Sequence, residues 1–293
     1  MTSAGAGGSL GRRILIFPLT RIVVATGFVL LPALLVQVVL RALPIPKFLE
    51  MPLMAVLVVP GTVLALCAYA RLVERRPLEE FAPHGAAREL GAGVLLGSGL
   101  FVAVAGVLTV LQAFVITGSH RPGEVLPNLV AMAALTSVTE EVLVRGIIFR
   151  ICEEALGSWS ALVVSAMLFG LGHIFNPGAT VWSAAAIAIE AGVLLGAAYM
   201  LTRRLWLPIG VHAGWNFTEA GVFGAATSGH ELPGLLESRT VGPTLISGGA
   251  FGAEGSVVAV VLCAVAGVML IILAVRRGRI IPAPWRAARA TLR

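Results

Sequence analysis

Long apolar runs separated by short polar stretches make up most of this chain. An α-helix rises about 1.5 Å per residue, so about 20 apolar residues cross the hydrocarbon layer of a bilayer. By that measure the runs at 22–40, 53–70, 90–116, 129–151, 159–173, 182–201, 206–223 and 253–275 predict eight membrane helices. The fifth is the shortest and is followed by Asn176-Pro177-Gly178, a strong turn signal. Residues 224–252, rich in Gly, Ser, Thr and Pro, form the longest loop. The first run is longer than the core of a signal peptide and no clear small-x-small cleavage site follows it, so it reads as a spanning helix. The expected organisation is a disordered tail over 1–11, one transmembrane bundle over 12–280 with its site region at 129–223, and a cytoplasmic tail over 281–293. The fold class is all-α, a polytopic membrane helical bundle.

Composition strengthens this picture. Of 293 residues 58% are hydrophobic and 12% are charged, about half the charge of a soluble domain. That excludes a disordered or fibrous chain and argues against a soluble one. The net charge of +6 is not a nucleic-acid signature, because the arginines sit in short clusters between apolar runs: Arg12 and Arg13; Arg71, Arg75 and Arg76; Arg203 and Arg204; Arg276, Arg277 and Arg279. The loops on the other side hold only Arg41, Lys47, Arg121 and Arg239. The positive-inside rule then places both termini in the cytoplasm, in a multi-pass protein of the cell's inner membrane bordered by lipid. Cys67, Cys152 and Cys263 show no CxxC spacing and read as filler.

The informative residues are the ones a membrane tolerates badly. Glu140, Glu141, Arg145, His173, Glu190, His212, Asn216 and Glu219 all fall in or near apolar runs. A charge at the bilayer centre costs about 2.5–3.5 kcal/mol on insertion scales, so these groups predict one polar chamber inside the bundle. Glu141 and Arg145 are spaced i,i+4 and can pair on one helix face, while Glu140 points about 100° away. His212 and Asn216, also i,i+4, share a face of the seventh helix. A carboxylate, two histidines and an amide on three helices suit peptide hydrolysis: Glu140 as base, His173 orienting the water, His212 and Asn216 as donors to the oxyanion. Spacing alone leaves open a second arrangement, in which Glu140, His173 and His212 hold a zinc ion. The HExxH and GxSxG signatures are absent.

The three motifs, Glu140-Glu141 with Arg145, Phe169 with His173, and His212 with Asn216, resemble the EExxxR, FxxxH and HxxxN/D/B pattern of the CPBP intramembrane endopeptidases, the CAAX prenyl protease and bacteriocin-processing family. The stretch from Gly192 to Asn216 is similar as well, and the likeness covers about 130–220. The resemblance implies an eight-helix, CAAX-protease-like fold with a conical cavity open to lipid and cytosol, and cleavage of peptide or prenylated protein substrates near their C-terminus. It implies water activation by Glu140 and His173, an oxyanion hole of His212 and Asn216, and structural roles for Glu141 and Arg145. Val144 departs from the pattern, standing where the family often has an aromatic residue. Glu190 reads either as an added polar contact or as a glutamate at the lipid interface, with the second preferred, and Glu219 as the mark of a helix end near water.

Two other function classes share these features. A scaffold or immunity-type protein on the same fold would hold peptides without cutting them. A transporter would use Glu140 and Glu190 as proton carriers, but it needs ionisable groups along a whole path, and here they are concentrated in a few helices.

Overall fold

The computed structural model describes residues 16–285. The tail expected over 1–11, and the part of the C-terminal tail after 285, lie outside the described residues. Among the described residues there are eight long helical segments: α1 (Pro18–Ala42), α2 (Lys47–Glu74), α3 (Ala86–Val110), α4 (122–156), α5 (Ser158–Gly172), α6 (Val181–Thr202), α7 (206–222) and α8 (Val257–Arg276). Six of them are long and apolar enough to cross a membrane, the fifth when counted through its last turn to Phe175; α4 and α7 are not among those six. α7 is one residue short of the length required, and both carry polar groups of the candidate site: Glu140, Glu141 and Arg145 on α4, His212 and Asn216 on α7.

The protein is a multi-pass membrane protein. Its lipid-facing belt is visible in exposed Leu19, Val23, Leu31 and Val38 on α1, Leu95 and Val102 on α3, and Val261, Val265 and Met269 on α8. Depth in the bundle differs sharply between helices. In its apolar window 72% of α6 is buried, against 11% of α1 and 22% of α8. α6 is therefore the central post, and α1 and α8 are outer staves.

Small residues set how closely the inner helices approach. Gly93 and Gly97 on α3 face Gly210 and Gly214 on α7, and a Cβ added at any of the four would overlap backbone of the facing helix. This is close small-residue packing of the kind membrane helices use where burial of apolar surface gives no advantage over lipid. Gly170 meets α6 at Ala184 and Ala188 in the same way, whereas a Cβ at Gly172 meets nothing.

At one end of the bundle the arginines are tied into a layer of ion pairs. Glu74 takes Arg21, Arg76 and Arg150; Glu80 takes Arg76 and Arg150; Arg203 pairs with Glu153 and Arg204 with Glu89. These contacts join the ends of α1, α2, α4 and α6 to the start of α3.

The helix expected over 90–116 stops at Val110. Gln112 then takes a left-handed backbone (φ 57°), and Phe114–Ser119 forms a strand, β1. It pairs antiparallel with β2 (Leu236–Thr240), Phe114 opposite Thr240 and Ser119 opposite Leu236, with an irregularity between Ile116 and Gly118. Val115, Ile116 and Thr117 are β-branched and favour a strand once the helix has been broken. The long 224–252 loop is thereby stitched to the bundle. Asn176 Nδ2 donates to Ser228 O at 3.0 Å, and Trp182 Nε1 donates to Gly255 O at 2.7 Å.

Four helices contain widened π turns: Ala70–Glu74 in α2, Val142–Phe149 in α4, Ala188–Val193 in α6 and Phe217–Val222 in α7. Such turns concentrate at functional sites. Three of these four lie beside the polar interior.

Candidate active site

The two adjacent glutamates of α4 have separate environments. The Glu141 side chain has no exposed surface, while that of Glu140 is 35% exposed. Glu141 Oε1 accepts from Arg145 Nη1 at 2.7 Å, the i,i+4 pair anticipated from spacing. Arg145 is itself fully buried; Nη2 donates to Ala191 O at 3.0 Å and Gly192 O at 3.1 Å on α6, and the guanidinium lies 4.7 Å above the Phe169 ring. A buried arginine needs several acceptors, and this one finds them on its own helix and in the π turn of α6. Glu140 is left free to face open space.

The same Glu141 Oε1 stands 3.0 Å from His212 Nδ1. A carboxylate only accepts, so Nδ1 carries the hydrogen and Nε2 is the nitrogen turned to Glu140, whose Oε2 is 3.9 Å away. His173 is set by the same logic from another direction. Its Nδ1 lies 2.8 Å from Phe169 O, one turn back on α5, so that nitrogen also donates and Nε2 keeps its lone pair. The Phe169 ring links three polar groups: His173 at 4.8 Å and His212 at 6.2 Å between ring centres, with Arg145 over its face.

Asn216 Nδ2 donates to Thr136 Oγ1 at 3.1 Å, leaving its second amide hydrogen uncommitted. Glu140, His173, His212 and Asn216 all line one cavity of about 870 Å³, together with Thr136, Met132, Leu143, Val144, Leu168 and Met51. Glu141 and Arg145 lie behind that wall. Val144 packs against the cluster around Phe169, so the smaller residue before the arginine leaves room in the cavity.

Among the described residues no three His, Cys, Asp or Glu side chains are grouped so as to hold a metal ion.

Two expectations are corrected. Glu190 is 2% exposed and lines the cavity from the π turn of α6, so it is not at the lipid interface. Glu219 is fully buried and accepts from Trp215 Nε1 at 3.0 Å, so it does not mark a helix end in water. In both cases a π turn rotates the residue inward, which a count based on regular helical spacing cannot anticipate. Thr136, Trp215 and Glu254 were not singled out beforehand. Thr136 had a signal, since it lies four residues before Glu140 on the same face. Glu254 had none, because it comes from a turn outside the helices.

Residues 122–218 match the family model of the type II CAAX prenyl endopeptidases, Rce1-like. This third of the chain is similar to a CAAX-protease domain. The matched segment begins with α4 and ends in the first turn after Asn216, so it contains all three motifs and every side chain placed above except Glu219, Glu254 and Met51. No curated protein matches the chain. The match supports an intramembrane endopeptidase of the CAAX type, a class that acts on peptides or proteins. The helices outside the domain, α1 to α3 and α8, complete the wall around it.

Proposed function

We propose that the protein hydrolyses a peptide bond within the membrane boundary by direct activation of water, with Glu140 and His173 as the activating pair and His212 and Asn216 as the oxyanion donors. The observation that carries this reading is the division of labour around Glu141. By holding Arg145 and His212 Nδ1 on one oxygen, it fixes His212 with Nε2 toward Glu140 and the cavity. In the reaction the Glu140 carboxylate takes one proton from water, and His173 Nε2 accepts a hydrogen bond from the other. The water oxygen adds to the scissile carbonyl carbon. The resulting oxyanion is met by the free Asn216 amide hydrogen and by His212 Nε2–H when that ring carries both protons. The proton held on Glu140 then passes to the leaving nitrogen as the C–N bond breaks. No step uses a metal ion.

The apolar walls at Met51, Met132, Leu143 and Leu168 suit a substrate that carries a hydrophobic segment or a prenyl chain. In liposomes with a peptide library, prenylated and plain, the wild type is expected to cleave. Glu140→Gln should lower kcat by about 10²–10⁴, and Asn216→Ala by about 10²–10³. A well-folded wild type that binds peptides and cuts none would favour the scaffold reading instead.

The arginine layer supports an inner-membrane orientation with both termini in the cytoplasm. On that orientation the cavity opens on the far side. Of the residues that line it, Met51, Asn176, Pro177 and residues 227–232 lie at the end of the bundle away from the ion-pair layer. The family resemblance leads one to expect a cytosolic mouth, whereas the charge asymmetry supports an external one.

A further inference from the structure

The cavity continues past the four side chains used above to a second polar group that the proposed mechanism does not employ. Glu190 on α6, Glu219 on α7 and Glu254 in the turn Ala253–Gly255 are 2%, 0% and 4% exposed. Trp215 Nε1 is shared between Glu219 Oε2 at 3.0 Å and Glu254 Oε1 at 3.1 Å. Glu254 Oε2 accepts from the Ser228 amide at 2.6 Å and its hydroxyl at 2.7 Å. Glu190 lies within electrostatic reach of both other carboxyls.

Glu190 lacks the partners the others have. Its Oε2 is buried with no hydrogen-bond partner, and the residue forms part of the cavity wall. The residues lining the cavity include Glu140, Glu190, Glu231 and Glu254 and no Lys or Arg. Arg145 is committed to Glu141 and to the carbonyls of Ala191 and Gly192. A buried, unpartnered acceptor in the wall of a cavity that holds no Lys or Arg side chain is a site missing its counter-charge. The carboxyls are not grouped so as to hold a metal ion. A cation that enters on a long flexible stem does not need that convergence, since it can reach one oxygen at a time.

We propose that this end of the cavity is a subsite for a cationic side chain, Lys or Arg, of the peptide substrate, with Glu190 as its main acceptor and Glu254 as the second. The inference rests on the protease reading given above. The subsite adjoins the catalytic group along the chain. Trp215 adjoins Asn216, and Glu190 precedes the two carbonyls that hold Arg145. The basic residue therefore belongs close to the scissile bond.

The test uses full-length protein in liposomes and a library of ten-residue peptides, with and without a farnesylated cysteine, in which each position carries Lys, Arg, norleucine or Glu in turn. Cleaved peptides are identified by mass spectrometry. In parallel, peptides retained by the Glu140→Gln protein are identified without any requirement for cleavage. Lys and Arg are expected to exceed norleucine by about tenfold or more at one position, and Glu190→Gln to bring that ratio close to one. Cleavage without a basic preference, or a preference that Glu190→Gln leaves intact, overturns the subsite while the protease reading stands. Absence of all cleavage overturns the protease reading, and the retained peptides then decide the subsite alone: basic enrichment abolished in Glu140→Gln/Glu190→Gln supports it, and no enrichment ends it. If Glu190→Gln melts early, Glu254→Gln replaces it, with a partial fall in the same ratio expected and an unchanged ratio counting against the proposal.

Discussion

At the residue scale, what distinguishes the site is how few groups fix many. Glu141 Oε1 is the common acceptor of Arg145 and His212. Removing the arginine should therefore do two kinds of damage. Arg145→Met strands a buried carboxylate, at a cost of about 3–5 kcal/mol read as an earlier melting transition. It also leaves Glu141, the Nδ1 partner of His212, no longer clamped by the arginine, so residual activity should shift its pH profile. Thr136 acts at one remove, by holding one amide hydrogen of Asn216. Thr136→Val should lower kcat by about tenfold with KM little changed, and Thr136→Ser should restore most of it, because an oxyanion donor matters in the transition state and not in binding. Equal loss in both variants would mean that the contact only supports the fold. The motif residues were legible in the linear chain because charged groups in apolar runs stand out on cost alone. Glu190 stood out equally, but its destination did not, since what decides it is which way a π turn rotates the residue.

At the scale of elements, the packing that positions His212 comes from glycines. α7 lies against α3 through Gly93, Gly97, Gly210 and Gly214. Gly97→Ala places a methyl group into the α7 backbone, and overpacking of this kind costs about 1–3 kcal/mol. A loss of thermal stability in detergent together with a loss of activity is expected, because separating the helices moves His212. Gly172→Ala, with open space at the same atom, should do neither. All eight helical segments could be read from the apolar runs, because a bundle in lipid keeps its helices apolar over most of their length. The third was drawn too long for a physical reason. Phe114, Val115 and Ile116 continue the apolar pattern without a break, and a short apolar stretch reads equally as helix end or strand until a pairing partner is seen. That partner, Leu236–Thr240, sits far along the chain in a segment whose composition suggested only loop.

At the scale of the whole molecule, the ion-pair layer and the cavity mouth occupy opposite ends. This makes orientation measurable. A single cysteine placed at Thr227 or Glu231, in a background lacking Cys67, Cys152 and Cys263, should react with a membrane-impermeant maleimide added to intact cells. A cysteine at Arg75 should react only after permeabilisation. The reverse pattern would place the mouth in the cytoplasm and agree with the family's expected geometry. A chelator test belongs at this scale too, as it reports on the assembled donors: activity should survive prolonged treatment with a zinc chelator. Loss that zinc restores would mean that Glu140, His173 and His212 close around an ion.

The widened turns have a consequence for how this chain can change length. Within a π turn one more residue is accommodated than a regular helix would hold over the same rise. Deleting any single residue from 143–148 should let α4 relax to an unbroken spiral without opening a gap. The residues downstream would keep their faces, because the residue removed is the one the wider turn had absorbed, and Arg150 would stay with Glu74 and Glu80. A deletion at 143 or 144 would instead bring Arg145 one position nearer to Glu141 and disturb that buried pair, while one at 147 or 148 should leave it in place. The wide turn is thus a stretch where this helix can lose a residue without losing its register.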